Sequence, residues 1–355
     1  MEKTYKHAVV LGKFLPPHKG HFWLFKKALE RSEKLTILVC ALDDIVVEGK
    51  VFIKREQIPG WQRQSWIRDH YKDDPRVEVV LVTEENPQTP DDHGYFWNIW
   101  KDTIRRNAAR ADVIFTSEAY GNQLSQILNI PHEAVDGYRF KYRVSGRDII
   151  SNPLENWSYI PEHITPYFTK KVALVGPESV GKTQTCKNLS NSLGIPWIPE
   201  FGREYVEEYL EVDGPITPLD IAMISAGHQT KIWEACKGHK FVLMDTEAIT
   251  THLWCEFYCG SGSTPTAVIK RAWEEEIDLY LGLLPTVEWI DDGTRKWSNQ
   301  EDRDRFMDMF MNFLDKKGST YRLINSSSFE EREETITNKI GYFFGRYPGG
   351  SQSHE

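Results

Sequence analysis

A chain of 355 residues is longer than one hydrophobic core ordinarily serves, so two domains are expected. Apolar residues make up 40% and charged residues 27%, which excludes a disordered or fibrous class. The net charge of -9 argues against general affinity for nucleic acid or anionic membrane surfaces, because phosphate backbones demand a positive field. The cysteines at 40, 186, 236, 255 and 259 form no C-x-x-C pair, as expected of reduced thiols. Met1 leads into His7-Ala-Val-Val-Leu11 with no apolar stretch long enough for a signal peptide or membrane span. A cytoplasmic protein with neither nucleic-acid nor membrane partners is therefore expected.

In chain order, residues 7–11 read as a strand, followed by Gly12-Lys-Phe-Leu-Pro-Pro-His18-Lys-Gly20-His21 and a helix to about Arg31. Leu35–Ala41 is nearly all apolar and reads as a strand buried on both faces. A helix over 61–71, a strand at 77–82, a helix over 95–107 and a strand at 113–116 continue the alternation expected of a parallel α/β sheet. Such sheets bind ligands at the carboxyl ends of their strands.

His18 and His21 form an H-x-G-H constellation at a strand-to-helix turn. Isolated pairs of this kind are usually surface or capping residues. In this setting, two imidazoles and free helix N–H groups converge on a phosphate, and imidazolium would stabilise charge as a phosphoanhydride forms. The pattern Gly12-x-Phe14-x-Pro16-x-His18-x-Gly20-His21 resembles the nucleotidyltransferase superfamily that adenylylates nucleotide monophosphates. That superfamily carries a second signature, roughly I-S-x-T-x-x-R, which falls here on Val144-Ser145-Gly-Arg147-Asp-Ile-Ile150. Ser145 is kept as an N-cap, Arg147 replaces the Thr, and Ile150 replaces the final Arg. Losing a guanidinium from a polyphosphate clamp costs about 2 to 5 kcal/mol. Arg147 and Arg143 are the candidate substitutes.

The segment Asn152–Pro161, rich in prolines and aromatics, reads as a packed linker, and the sheet pattern restarts at Lys171. The apolar run Val172–Val175 leads into Gly176-Pro-Glu178-Ser179-Val180-Gly181-Lys182-Thr183 and a helix ending at Gly194. This is strand, phosphate loop, helix: glycines admit backbone N–H groups to the phosphates, Lys182 reaches the terminal phosphates, and Thr183 ligates Mg2+. Further strands are expected at 241–244, 279–284 and 321–324, with a last helix over 329–347.

Phe241-Val-Leu-Met-Asp245 is an apolar strand closed by an acid, suited to positioning Mg2+ or acting as a base, with a simple helix cap as the alternative. Glu200 and Arg203 follow a short apolar segment and suit a ribose or a phosphate acceptor; a salt-bridged helix end is equally natural. Trp289-Ile-Asp291-Asp292-Gly-Thr-Arg295 reads as a strand end entering a lid, with Arg303 and Arg305 on a polar helix beyond it. Those two arginines could equally form a solvated face, the reading favoured for Arg305.

Together these motifs resemble one family, the bifunctional ribosylnicotinamide kinases and nicotinamide mononucleotide adenylyltransferases. The likeness runs over roughly residues 5–345 and includes Ser117-Glu118, Asn152-Pro153, Trp157, Phe201-Gly-Arg203-Glu-Tyr205, Gly227-His-Gln229 and Thr250-Thr251. The fold it implies is α/β throughout: a Rossmann-like nucleotidyltransferase domain over residues 1–165 and a P-loop kinase domain over 166–347, both with parallel sheets, then a disordered tail at 348–355. The resemblance implies phosphorylation of the nicotinamide riboside 5′-hydroxyl with ATP and Mg2+ in the second domain. The first domain would then adenylylate the mononucleotide to NAD, releasing pyrophosphate.

By the same resemblance, Gly12, Lys13, Phe14, His18, Gly20, His21, Ser145 and Arg147 serve ATP in the first domain, with Ser117 and Glu118 beside the substrate. In the second domain the loop from Gly176 to Thr183 and Arg295 serve ATP, Thr183 and Asp245 hold Mg2+, and Glu200 or Asp245 takes the hydroxyl proton. Arg203, Trp289, Asp291 and Asp292 face the riboside, with Trp289 stacking on nicotinamide. Some members carry an N-terminal DNA-binding helical domain, which is not expected in a chain beginning at its first strand. A homo-oligomer is compatible with the reading. The rival reading is an enzyme active only as a kinase, its N-terminal domain a nucleotide-sensing module; a third is a purely regulatory nucleotide sensor.

Overall fold

The computed structural model describes residues 3–42, 45–47, 50–53, 56–210, 214–284, 300–326 and 328–345. The chain divides into two compact units, Met1–Ile164 and Thr165–Glu355.

The first unit runs β1 (Tyr5–Gly12), α1 (Lys19–Arg31), β2 (Ser32–Cys40), the antiparallel hairpin β3 (Ile45–Val47) and β4 (Lys50–Ile53), α2 (Gly60–His70), β5 (Val77–Val82), α3 (Phe96–Asn107), β6 (Val113–Thr116), α4 (Gly121–Leu128), β7 (His132–Ala134) and α5 (Gly146–Ser151). Its main sheet has the order β5-β2-β1-β6-β7 and is parallel throughout. The apolar runs that predicted strands are the ones that bury: Val9, Leu11, Leu38, Val82 and Ile114 pack with Ile104 of α3 and Leu124 and Leu128 of α4. Each such side chain contributes about 1.5 to 3 kcal/mol of burial. The chain reverses its direction of travel across the sheet between β1 and β6. A crevice therefore opens beyond their carboxyl ends, where ligands of such sheets bind.

The second unit runs β8 (Lys170–Val175), α6 (Lys182–Leu193), β9 (Trp197–Ile198), α7 (Phe201–Tyr209), α8 (Pro218–Cys236), β10 (Phe241–Asp245), α9 (Ala248–Tyr258), α10 (Thr266–Glu274), β11 (Leu279–Leu283), α11 (Gln300–Lys317), β12 (Tyr321–Ile324) and α12 (Phe329–Phe344). Its parallel sheet has the order β12-β11-β8-β10-β9. The parallel α/β class expected from the sequence is therefore found in both units. The core of the second joins Val175, Val242 and Met244 to Ile249, Phe306, Phe310 and Leu314. Because β10 pairs directly with β8, with Asp245 in register with Leu174, the acid ending one strand lies beside the loop leaving the other.

The end of the expected linker is packed, with Ile160 and Pro161 buried, and just beyond it His163 Nε2 donates to the Trp66 carbonyl at 3.0 Å. Three elements of this unit escaped the sequence reading: the β3–β4 hairpin, α4 and β7. Both strands of the hairpin and β7 are three or four residues long, too short for periodicity to register.

Candidate active sites

In the second unit the phosphate loop is closed around its own lysine. Lys182 Nζ donates to the carbonyls of Gly176 and Pro177, each at 2.9 Å. Gly181 is the N-cap of α6 with φ 81°, and a Cβ there would lie 2.9 Å from the Phe329 ring, so only glycine fits. Behind the loop, buried Arg332 donates from Nη1 to the Val180 carbonyl at 2.6 Å and from Nη2 to the Ser326 carbonyl at 3.1 Å. A fully buried guanidinium thus ties α12 to the loop backbone. Ser179 adopts a left-handed φ of 61°. Glu178 accepts the Tyr258 hydroxyl at 2.7 Å, which joins the loop to α9.

Thr183 Oγ1 donates to Asp245 Oδ2 at 2.5 Å, a contact between residues 62 apart in sequence. Asp245 is buried and its other oxygen, Oδ1, has no partner among the described residues. Burial raises the Asp245 pKa, and the Lys182 charge opposes the rise. This donor set fits Mg2+: a hydroxyl and a carboxylate side by side, with a buried acceptor unused. Among the described residues no three His, Cys, Asp or Glu side chains gather as a metal site. A cation here would take its remaining ligands from phosphate and water.

Glu200 is the N-cap residue of α7 but makes no side-chain cap bond. Its carboxyl is pushed up to about 7, by burial first and then by the Asp245 charge, with Lys182 and Arg203 opposing. Arg203 itself is exposed, and its charge acts on Glu200 and Asp245 alike. The structure therefore gathers Lys182, Thr183, Glu200 and Asp245, with Arg203 at the rim. The expected residues Trp289, Asp291, Asp292 and Arg295 lie outside the described residues, as does the tail at 348–355.

Arg303 is a residue that the sequence left open against a solvated face. It is 4% exposed; Nη1 donates to the Gln300 side chain at 3.3 Å, while Nε and Nη2 are buried without partners among the described residues. Burial lowers its pKa, and the charges of Asp304 and then Glu178 oppose that. The signal was present: Arg303 starts the buried stripe Phe306, Met307, Phe310 and Leu314 of α11, at helical spacing. Arg305 is exposed, with its guanidinium 5.2 Å from the Phe257 ring centroid, as the solvated-face reading holds.

In the first unit, His18 is the N-cap of α1 and its ring stacks on that of His21, with centroids 3.7 Å apart. Gly20 N donates to His18 Nδ1 and His18 N donates to His21 Nδ1, each at 3.2 Å. With both Nδ1 atoms accepting, each neutral ring carries its proton on Nε2. The imidazolium expected from the sequence is corrected here. Burial, then the Arg139 charge, holds His18 down to about 4, and burial, His18 and Arg139 hold His21 well below its ordinary value. Two stacked, desolvated rings disfavour charge on both, and each neutral ring presents an Nε2–H donor.

Phe14 is buried with φ 48°, its ring edge-on to His21 at 5.0 Å, and it packs under Gly12. The Lys13 carbonyl accepts from buried Arg63, which is ion-paired with Glu56. Ser145 caps α5, its Oγ accepting from Asp148 N at 3.2 Å, and a Cβ on Gly146 would come within 2.1 Å of the Leu15 carbonyl. The second signature therefore lies directly against the histidine loop, although Arg147 is exposed. Ser117 and Glu118 follow β6, and Glu118 Oε1 is ion-paired with Arg139 Nη2 at 2.7 Å. A further cleft at the ends of β2 and β5 was missed; it is lined by Lys13, Cys40, Glu56, Glu84, Asn86 and Trp100. Its position just past two predicted strand ends was the available signal.

Fold and sites together define a chain that joins a P-loop nucleotide-binding unit to a Rossmann-like unit bearing an H-x-G-H loop. The comparisons with known proteins agree. A family described as "AAA domain" matches residues 171–332. The chain is 29% identical over 335 residues to the trifunctional NAD biosynthesis/regulator protein NadR of Escherichia coli (strain K12), covering 91% of this chain and 80% of that one. A crystal structure of NadR protein in complex with NR superposes with a TM-score of 0.75 at 20% identity, covering 100% of both chains. A second, of NadR protein in complex with NAD and AMP-PNP, gives 0.72 at 21% identity over 100% of this chain and 99% of that one. The family resemblance read from the motifs is thus borne out over the 91% of the chain that the sequence relative covers.

Proposed function

We propose that the chain is a two-site enzyme of NAD salvage, phosphorylating nicotinamide riboside in its second unit and adenylylating the resulting mononucleotide to NAD in its first. The observation that carries the reading is the phosphate loop whose Thr183 is bonded to an otherwise unpartnered Asp245, beside a carboxyl that titrates near neutrality. The relatives' recorded ligands, NR in one structure and NAD with AMP-PNP in another, support the substrates.

In the kinase step the riboside 5′-oxygen bonds to the γ-phosphorus of ATP as the bond to the β-phosphate oxygen breaks, and the hydroxyl proton passes to Glu200. Lys182 spends two of its three N–H donors on loop carbonyls and offers the third to phosphate. Thr183 and Asp245 would hold Mg2+, which when bound supplies charge neutralisation for the polyphosphate. Arg303, with two buried nitrogens unpartnered among the described residues, offers positive charge toward the same site. In the first unit the mononucleotide phosphate would bond to the α-phosphorus of ATP as pyrophosphate leaves, with the Nε2–H groups of His18 and His21 donating to phosphate oxygens.

The test is incubation with ATP, Mg2+ and nicotinamide riboside, following mononucleotide and NAD separately. The unmutated chain is expected to form both. Lys182→Ala is expected to lower mononucleotide formation at least about a hundredfold while leaving NAD formation from supplied mononucleotide intact. Kinase activity that survives Lys182→Ala would sink the assignment of the second unit. One observation favours the kinase-only reading: Ile150 leaves the second signature without its guanidinium. In that case product stops at the mononucleotide.

A further inference from the structure

The polyphosphate site of the first unit has neutral histidines and an apolar residue where a guanidinium is expected, so its positive charge must come from elsewhere. As pyrophosphate leaves, charge builds on the oxygen that bridged the α- and β-phosphorus in ATP, and neutral N–H donors alone do not match that charge. We propose that Arg139 supplies the guanidinium that position 150 lacks, gripping the phosphates of the adenylyl donor across from His18 and His21. This rests on the reading of the first unit as an adenylyltransferase.

The loop holding Arg139 is built to a fixed shape. Asp136 and Arg139 both lie in the left-handed region, each with φ 51°, and Arg139 N donates to the Asp136 carbonyl at 2.7 Å. The Asp136 carboxylate then accepts from Phe140 N at 2.8 Å, Lys141 N at 3.2 Å and Tyr142 N at 3.4 Å. The same loop is docked on the start of α1. Lys141 Nζ lies 4.0 Å from the Trp23 ring centroid, and Tyr142 Cβ approaches Gly20 between the two histidines.

Arg139 reaches Glu118, at the end of β6, at 2.7 Å, and its charge is felt at His18, His21 and Asp148. It therefore stands where the three parts of the site converge: the histidine turn, the β6 end and the α5 cap. An ion pair as exposed as Arg139–Glu118 contributes little stability and does not account for two left-handed residues. Strain of that kind is retained where it positions a group for binding. The remaining N–H donors of the guanidinium, in their planar fork, are free in geometry to take phosphate oxygens.

The experiment uses the full chain. Arg139→Ala is expected to lower kcat/KM for ATP in NAD formation from mononucleotide by about 30-fold or more. The KM for ATP should rise while that for mononucleotide moves little, and the unchanged mononucleotide KM should report an intact first unit. Arg139→Lys should recover part of the loss, since charge returns without the fork. A second arm works in a Lys182→Ala background, titrating inorganic pyrophosphate by calorimetry, where Arg139→Ala should weaken binding. If the unmutated chain forms no NAD, the adenylyltransferase reading fails and the pyrophosphate arm alone decides on Arg139. Unchanged pyrophosphate affinity, or a loss of NAD formation on Arg147→Ala with none on Arg139→Ala, overturns the proposal.

Discussion

Glu200 is placed where burial and the Asp245 charge both resist ionisation, and its carboxyl titrates near about 7 instead of 4.5. The sign follows: the ionised, base-competent form grows as pH rises through 7. Kinase kcat should climb roughly tenfold between pH 6 and 8. Glu200→Gln should flatten that limb and lower kcat by about a hundredfold or more with ATP affinity kept. A slope that survives in Glu200→Gln would move the base to Asp245. Arg303 teaches the complementary lesson at this scale. Its charge suggested solvent, but its place on the stripe with Phe306 and Phe310 required burial, and the stripe prevailed.

Among the elements, α9 begins on a buried pair of carboxyls. Its N-cap Glu247 is fully buried and accepts from Ile249 N, Thr250 N and Thr250 Oγ1 at 2.6, 2.8 and 2.7 Å, while Glu275 accepts from Ala248 N at 2.8 Å. Two carboxyls share one helix end, and burial followed by the Glu275 charge pushes Glu247 up to about 7 from 4.5. The folded state therefore keeps a proton that the unfolded chain releases between those values. Stability of the second unit should be full below pH 4.5 and fall as pH rises through 7, by on the order of 1 to 3 kcal/mol. Denaturant melts across that window check it, and Glu247→Gln should remove the Glu247 share of the slope, while Glu200, raised to about 7 by burial and the Asp245 charge, keeps a share of its own. A slope unaltered by that substitution would assign it to other groups. The sequence pointed to Thr250-Thr251 as a motif without a reason; the reason is this cap.

Each unit of the whole molecule has a core of its own: Val9, Leu38 and Ile114 belong to one, and Val242, Phe306 and Phe310 to the other. Phe310→Ala should cost about 3 to 5 kcal/mol, within the second unit. Kinase activity should then fail at a lower temperature, while NAD formation from supplied mononucleotide keeps its thermal profile. Parallel loss of both activities on heating would mean that the units unfold together. Among the described residues, no helix is long and apolar enough to cross a membrane.

By itself the sequence determined both parallel sheets, the order of the two phosphate-binding turns and the strands that feed them. Those features are local: apolar runs, glycine spacing and capping residues act over a few positions, and the chain order carries them directly. Only the tertiary structure decided the charge state of the histidines, the closure of Thr183 on Asp245, the burial of Arg303 and the convergence of Arg139 on the H-x-G-H turn. Desolvation and charge pairing depend on distance in space. Sheet pairing and loop docking set that distance between residues far apart in the chain, so no window of sequence contains it.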